Sequence, residues 1–566
     1  MTRAPLVAAV LLALVSTQAN AQDNQRSDSA SRRSGDPIQE GLPLKPERVV
    51  RFTTNVGTWM SLDITPDGQT LVFDHLGDLF TLPITGGKAT PLTKGMALDA
   101  QPRLSPDGKR VTFVSDRKGA SNVWVMSLDK RDTIQISKDR TQSFDSPEWT
   151  PDGKYVIASR GNTLRMYHVD GGGGTDLPRQ TDQPGIGGWR YIGAAFGNDP
   201  RYVWVARRSS QWNYNTPMRD YQLYVYDRES GEYSLRANRW GSAFRPTLSP
   251  DGKWMVYGTR FEQKTGLRIR DLATGDERWL AYPVQRDDQE SRASRDVLPG
   301  MTFTPDSREL IASYNGKIYR IPVSGGTPQE IPFTVDVEQH LGPEVKFEYP
   351  IDDKPTFTVR QIRNAMPSPD GKRLAFTALD RLYVMDMPGG TPKRLTDAPG
   401  VEFQPAWSPD GQWVAFVTWT ENELGNMWKV RATGGRPVRL TQQRAYFQQP
   451  VWSPDGQRVV AMRASGPAYA EETTQGPADF VWVSANGGNT NLISPSSGLS
   501  NPHFVKGSDR IFAYGGQRGL VSMRWDGTDV KELVRVRAPA IPPATQGPNA
   551  NLILMAPEGD RAMAYV

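Results

Sequence analysis

Short runs in which apolar and polar residues alternate dominate the chain. Arg110-Val111-Thr112-Phe113-Val114 is one of them, β-branched and aromatic, with the period of two that lines the two faces of a strand. A second predicted strand follows, carrying an aromatic residue near its middle, as at Trp124, Tyr383, Trp428 and Trp482. Next come a turn, often Gly-Gly, and a short strand ending in Pro-Leu-Thr or Arg-Leu-Thr. Another short strand precedes each unit, as in the segments that end at Trp149, Trp407 and Trp452. Four short antiparallel strands in about 40–50 residues make the pattern of a β-propeller blade.

One turn separates the first two strands of nearly every unit. It reads Ser/Thr-Pro-Asp-Gly or a near variant around Asp67, Asp107, Asp152, Asp251, Asp306, Asp370, Asp410 and Asp455, and ends the series at Glu558. Pro presets φ near −65°, Asp accepts hydrogen bonds from nearby amides, and Gly takes the positive φ of a tight hairpin. Each Asp is therefore expected to cap its own hairpin and do no chemistry. Asp370, Asp410 and Asp455 each lie 303 residues after Asp67, Asp107 and Asp152, so a block of about 300 residues is duplicated in tandem. Degraded copies are expected around Asp199 and Asp509. The expected architecture is all-β: a six-bladed propeller over 46–345, then a second over 346–566 that is truncated at about five of six blades.

The strings SPDGKRVTFVSDR, NVWVM, SPDGQWVAFVT, NMWKV and GGRPVRLT resemble TolB-type propeller repeats, over roughly residues 46 to 566. The opening GTWMSLDITPDGQTLVFDHLGDLFTLPITGG further resembles exported bacterial proteins in which such propellers precede an amidohydrolase domain. That resemblance implies a non-catalytic front region of a periplasmic hydrolase acting on C–N bonds. Its divalent metal would sit in a catalytic domain outside this chain, and the propellers would frame or gate access to it. Two other readings stay open: a stand-alone periplasmic adaptor binding envelope proteins, and the propeller region of a serine or tricorn-like peptidase.

Composition narrows the address. Arg3, the apolar stretch Leu6 to Val15 and the small residues Ala19 to Ala21 form a cleavable signal peptide over 1–21. Residues 22–45 are polar and Ser-rich and read as a disordered leader. Cys is absent, which rules out a disulfide framework. The 67 basic and 62 acidic residues are dispersed, so no nucleic-acid surface is expected, and no later segment reads as a membrane span.

Candidate chemistry is sparse. His75, His168, His340 and His503 form neither H-x-H nor H-E-x-x-H, and G-x-S-x-G is absent, so no catalytic residue, cofactor site or metal site is assigned. Asp170 to Asp176, DGGGGTD, lacks the Lys-Ser/Thr of a phosphate loop and reads as a hairpin insertion. Three longer insertions depart from the repeat: 207–221, 284–300 and 464–479. Long loops are where a scaffold places recognition, and Trp212, Tyr214 and Tyr221 are candidate partner contacts for a peptide or envelope protein.

Overall fold

The computed structural model describes residues 46–565 apart from 179–189, 209–219, 263, 345–346, 352, 399, 467–477 and 541–546. The signal peptide, the leader, Trp212 and Tyr214 lie outside the described residues.

Six four-stranded antiparallel sheets follow one another in the first block. They run Leu62–Ile64 to Thr90–Pro91, Asp99–Leu104 to Thr133–Gln135, Phe144–Trp149 to Thr175–Asp176, Arg190–Phe196 to Tyr233–Ala237, Phe244–Leu248 to Glu277–Ala281, and Thr302–Phe303 to Gln329–Ile331. These are blades 1 to 6, and the first strand of each is the innermost. The ring closes on itself, because blades 1 and 6 share one core in which Met60, Leu62 and Phe73 meet Ile311, Ile318 and Ile331. A clasp lies outside that seam. Strand Arg48–Thr54 pairs antiparallel with Phe333–Leu341, in register from Arg48↔Leu341 to Thr54↔Val335. Phe333 also pairs in parallel with Gly87.

The second block repeats the plan. Blades 7 to 10 run Arg363–Pro367 to Lys393–Arg394, Val401–Trp407 to Val438–Arg439, Ala445–Trp452 to Asn491–Pro495, and Ser500–Phe504 to Lys531–Val534. A hairpin of Leu552–Met555 and Ala562–Tyr565 packs against blade 10 through Tyr514, Leu520 and Ile553. Blades 8 and 9 also pair at Gly425↔Ala445, where a Cβ on Gly425 would stand 2.3 Å from the Ala445 carbonyl oxygen. Every residue of the innermost strand Arg363–Pro367 is exposed, whereas its counterparts in blades 2, 3 and 5 are largely buried.

Seams between blades are apolar and bolted by tryptophan. Trp149, Trp407 and Trp452 stand three residues before their turn Asp, and each indole N–H donates to a carbonyl of the preceding blade. The acceptors are Arg103 at 2.9 Å, Met366 at 2.9 Å and Ala406 at 3.0 Å. An arginine of that preceding blade covers the ring: Arg110 over Trp149 at 5.0 Å and Arg373 over Trp407 at 4.8 Å.

The repeated turn has one geometry. In blade 2 the Ser105 hydroxyl donates to Asp107 Oδ1, which also accepts from Lys109 N at 3.1 Å, while Gly108 takes φ 69°. The same pair of bonds recurs at Asp67, Asp152, Asp251, Asp306, Asp370, Asp410 and Asp455. The hydroxyl and amide bonds hold the pKa of these carboxyls below the ordinary carboxylate value. Asp199 keeps the amide bond, from Arg201 N at 2.9 Å. Asp509 does not occupy this place: the pairings Phe504↔Ile511 and Trp452↔Val459 put Gly507 opposite Asp455, so in blade 10 the carboxylate is lost.

Candidate recognition site at the propeller axes

The innermost strands of blades 2 to 5 and 7 to 10 each carry a β-bulge, and in most its cause is visible in the residues. Six positions before the turn Asp stands a residue with positive φ: Gln101, Ser146, Gly193 and Arg245 in blades 2 to 5, and Asn364, Gln404, Gln449 and Asn501 in blades 7 to 10, where the tenth turn is counted at Gly507. In most of them proline follows, as Pro102, Pro147, Pro246, Pro405, Pro450 and Pro502. Proline has no N–H for the ladder, so the register slips there. The bulges turn one residue per blade toward its neighbours around the axis. Gln101 Oε1 accepts from Ser146 N at 2.9 Å, Gln404 Oε1 from Gln449 N at 2.7 Å, and Gln449 Oε1 from Asn501 N at 2.5 Å. Asp74 plays the same part in blade 1, accepting from Ser61 N at 2.6 Å and Gln101 N at 2.8 Å.

In the first propeller this axial ring is covered by the chain itself. The segment 284–300 between blades 5 and 6, read from its polarity as a recognition loop, is instead a plug. Asp287 forms a two-pronged ion pair with Arg260, and Thr265 donates to it as well. Asp296, fully buried, accepts from Ser146 Oγ at 2.6 Å and Arg245 Nη1 at 2.7 Å. Main-chain carbonyls of the plug are held by side-chain donors: Arg292 and Ala293 by Arg190, and Arg295 by the Trp59 indole at 3.0 Å. Gly300 N donates to Ser61 Oγ at 2.9 Å. The plug thus touches blades 1, 3, 4 and 5. A charged segment is buried here because its two buried carboxylates, Asp287 and Asp296, each meet an arginine of blade 5.

Below the plug a second layer of charge closes the bore. Arg103 bonds Glu148 at 2.8 Å, lies 3.5 Å from Asp63, and donates to the Met301 carbonyl at 3.2 Å. Burial raises the pKa of Asp74 to about 6, and that of Asp145 to about 7 against the pull of Arg190 at 2.8 Å.

The axis of the second propeller differs. Gln404, Gln449 and Asn501 are half-buried, whereas their counterparts Gln101 and Ser146 are 5% and 2% exposed. The positions two residues further along are Ala406, Val451 and His503 in place of the charged Arg103 and Glu148. His503 Nδ1 donates to the Asn501 carbonyl at 2.9 Å and Nε2 accepts from Met555 N at 3.0 Å, which fixes a neutral imidazole. Burial lowers its pKa.

Several sequence expectations land elsewhere. Tyr221 is no partner contact: it is fully buried, edge-on to Phe244 with ring centres 6.5 Å apart. It opposes Arg208 on the neighbouring strand, so its ring fills the seam between blades 4 and 5. The four histidines stand apart. His75 bonds the Val56 carbonyl, His168 ends a blade 3 strand, and His340 bonds Glu338 in the clasp. Among the described residues no three His, Cys, Asp or Glu gather as a metal site would require, and no helix is long and apolar enough to cross a membrane. Residues 171–174 join two strands of blade 3.

The TolB beta propeller domain family matches residues 33–174 and 360–527, more than half of the chain. The chain belongs to the TolB β-propeller family. Among individual proteins it is 25% identical over 180 residues to the uncharacterized peptidase YuxL of Bacillus subtilis, a stretch that is 32% of this chain and 24% of that protein. It is 28% identical over 120 residues to tricorn protease homolog 1 of Streptomyces coelicolor, 20% of this chain and 11% of that one. The chain therefore spans about a quarter or less of the length of these relatives. The crystal structure of the tricorn protease aligns with a TM-score of 0.38 at 11% identity, over 90% of this chain and 60% of that one.

Proposed function

We propose that this chain is the recognition region of an exported hydrolase that cleaves C–N bonds, with the catalytic domain outside these residues. The observation that carries the reading is the match to YuxL, a protein named as a peptidase, in which the shared stretch makes up only 24% of the length. The remaining three quarters of that protein lie outside the shared stretch. The family resemblance of the opening repeats points to a metal-dependent amidohydrolase as that other part. The names of the two relatives favour the second reading, a serine or tricorn-like peptidase. Both break amide bonds, and they differ in the group that activates the attacking oxygen.

The reading frame past Val566 and an assay of the full-length product decide between them. An H-x-H strand, with amide hydrolysis abolished by a chelator and restored by zinc, fits the amidohydrolase. A G-x-S-x-G segment, with hydrolysis abolished by a serine-directed organophosphate, fits the peptidase. A stop codon close behind and no hydrolysis of any amide substrate would leave an adaptor and overturn the proposal. Export is checked by mass spectrometry of the mature protein, expected to begin at Gln22.

A further inference from the structure

We propose that the exposed aromatic cluster of blade 5, built from Phe261, Trp279 and Tyr282, is a docking site for a proline-rich segment of another polypeptide in the polyproline II conformation. The proposal goes beyond the hydrolase reading and does not depend on it.

The strands of blade 5 place the cluster. Phe261 ends strand Trp254–Phe261, opposite Lys264. Trp279 lies on Glu277–Ala281, and Tyr282 follows directly. Both rings lie against Gly266, where a Cβ would stand 2.6 Å from Tyr282 Cδ2 and 2.7 Å from Trp279 Cζ3. Only a residue without a side chain lets the two rings settle across that strand. Ring centres are 4.8 Å apart for Trp279 and Tyr282, and 6.1 Å from Phe261 to each. The Tyr282 hydroxyl donates to the Phe261 carbonyl at 2.7 Å, which ties the cluster together. Arg260 N donates to the Gly241 carbonyl at 3.0 Å and so brings Trp240 to the same corner of the blade. Phe261, Trp240 and Tyr282 keep 46%, 43% and 37% of their surface exposed. Grouped rigid rings held open to solvent make an apolar docking surface.

The surroundings select the ligand. Charges at the edge of the cluster are engaged with one another: Glu262 with Arg444 at 3.7 Å, Arg268 with Glu277 at 3.5 Å, and Arg286 with Glu290 at 2.6 Å. A charged ligand gains little beside such matched pairs, and saccharide hydroxyls would meet carboxylates already held by arginine. What remains is a donor, because the Trp279 indole N–H has no acceptor among the described residues. A proline-rich segment answers both features. Its rings are apolar, its carbonyls accept, its prolines carry no N–H to leave unpaired, and its extended helix is formed before it binds. The location suits an extended ligand. Glu262 and Arg444 join the two propellers, and beside Arg444 the rings of Trp419 and Tyr446 stand edge to face at 5.3 Å, so aromatic side chains flank that ion pair from both propellers.

The test uses the full chain and two fluorescein-labelled, amidated decamers, one of proline and one of alternating glycine and serine. Fluorescence anisotropy should show decaproline binding at least about ten-fold more tightly than the glycine-serine peptide. Phe261→Ala removes an exposed ring, should retain the thermal transition, and should weaken decaproline binding by about five-fold or more. Trp279→Phe keeps a ring, removes the N–H, and should weaken binding by about three-fold or more. No binding of decaproline up to about 1 mM, or equal binding by wild type and either variant, overturns the site. Calorimetric binding of cellohexaose that Phe261→Ala abolishes, with decaproline not bound, also overturns it and makes the surface a saccharide site. If Phe261→Ala unfolds, Trp279→Phe alone gives the comparison.

Discussion

Asp78 shows how a single carboxyl can be set against its surroundings. It closes the blade 1 hairpin opposite His75, is 7% exposed, and faces Asp99 of blade 2, which Arg117 already neutralises through both oxygens. Burial, and then the charge of Asp99, push its pKa to about 7. A pKa raised above its unfolded value favours the folded state below about pH 4, and that contribution is lost as pH rises toward 7. Asp74 and Asp145 act in the same direction. His75 acts against them, since burial depresses its pKa and its contribution is lost as pH falls below about 6.5. Three carboxyls outweigh one imidazole, so the first propeller should melt at a higher temperature at pH 5 than at pH 8. Asp78→Asn should raise stability at pH 8, by on the order of 2–4 kcal/mol, and raise it by less at pH 5. Calorimetry at the two pH values measures both, and an Asn variant less stable at pH 8 would contradict it. None of this could be read in the sequence, where Asp78 is one acid in a Gly-Asp turn. Its neighbour across the seam is 21 positions away.

At the scale of the element, blades were legible and their joints were not. Ser-Pro-Asp-Gly states its own conformation, because each residue acts on the backbone beside it. Alternation then fixes which strand faces are buried. The tryptophan before the turn is equally visible, but its acceptor lies about 45 residues back on another blade. Trp452→Phe keeps most of the apolar area and removes the N–H, leaving the carbonyl of the buried Ala406 without its partner. A loss of about 1–3 kcal/mol is expected, read as a lower urea midpoint for the second propeller with an unchanged slope. No shift would mean that the indole acts only by packing. The plug 284–300 was misread for a related reason. QRDDQESRASRDV is the composition of a solvated loop, and only the arrival of Arg245, Arg260 and Arg190 from distant strands makes it core.

For the whole molecule, the two halves are expected to behave as separate units divided near residue 345. The first has a closed ring, a shared core at its closing seam and an outer clasp. An ion pair between the halves, Arg444 to Glu262 at 3.7 Å, is exposed on both sides and adds at most about 1 kcal/mol. A fragment of residues 46–345 should therefore unfold in one cooperative transition at the temperature the first propeller shows in the full chain. A fragment without secondary structure by circular dichroism would refute the division. The clasp also sets an order of events in time. Arg48–Thr54 is synthesised early, and its partner Phe333–Leu341 follows nearly 300 residues later. A ribosome adding roughly 5–20 residues per second leaves the first strand unpaired for about 15–60 seconds, with Val49, Val50 and Phe52 bare on a strand edge. Blades 1 to 5 can form during that interval from local hairpins, but the ring cannot shut. Closure of the ring thus waits on residues 333–341, and until they arrive the early strand has no partner.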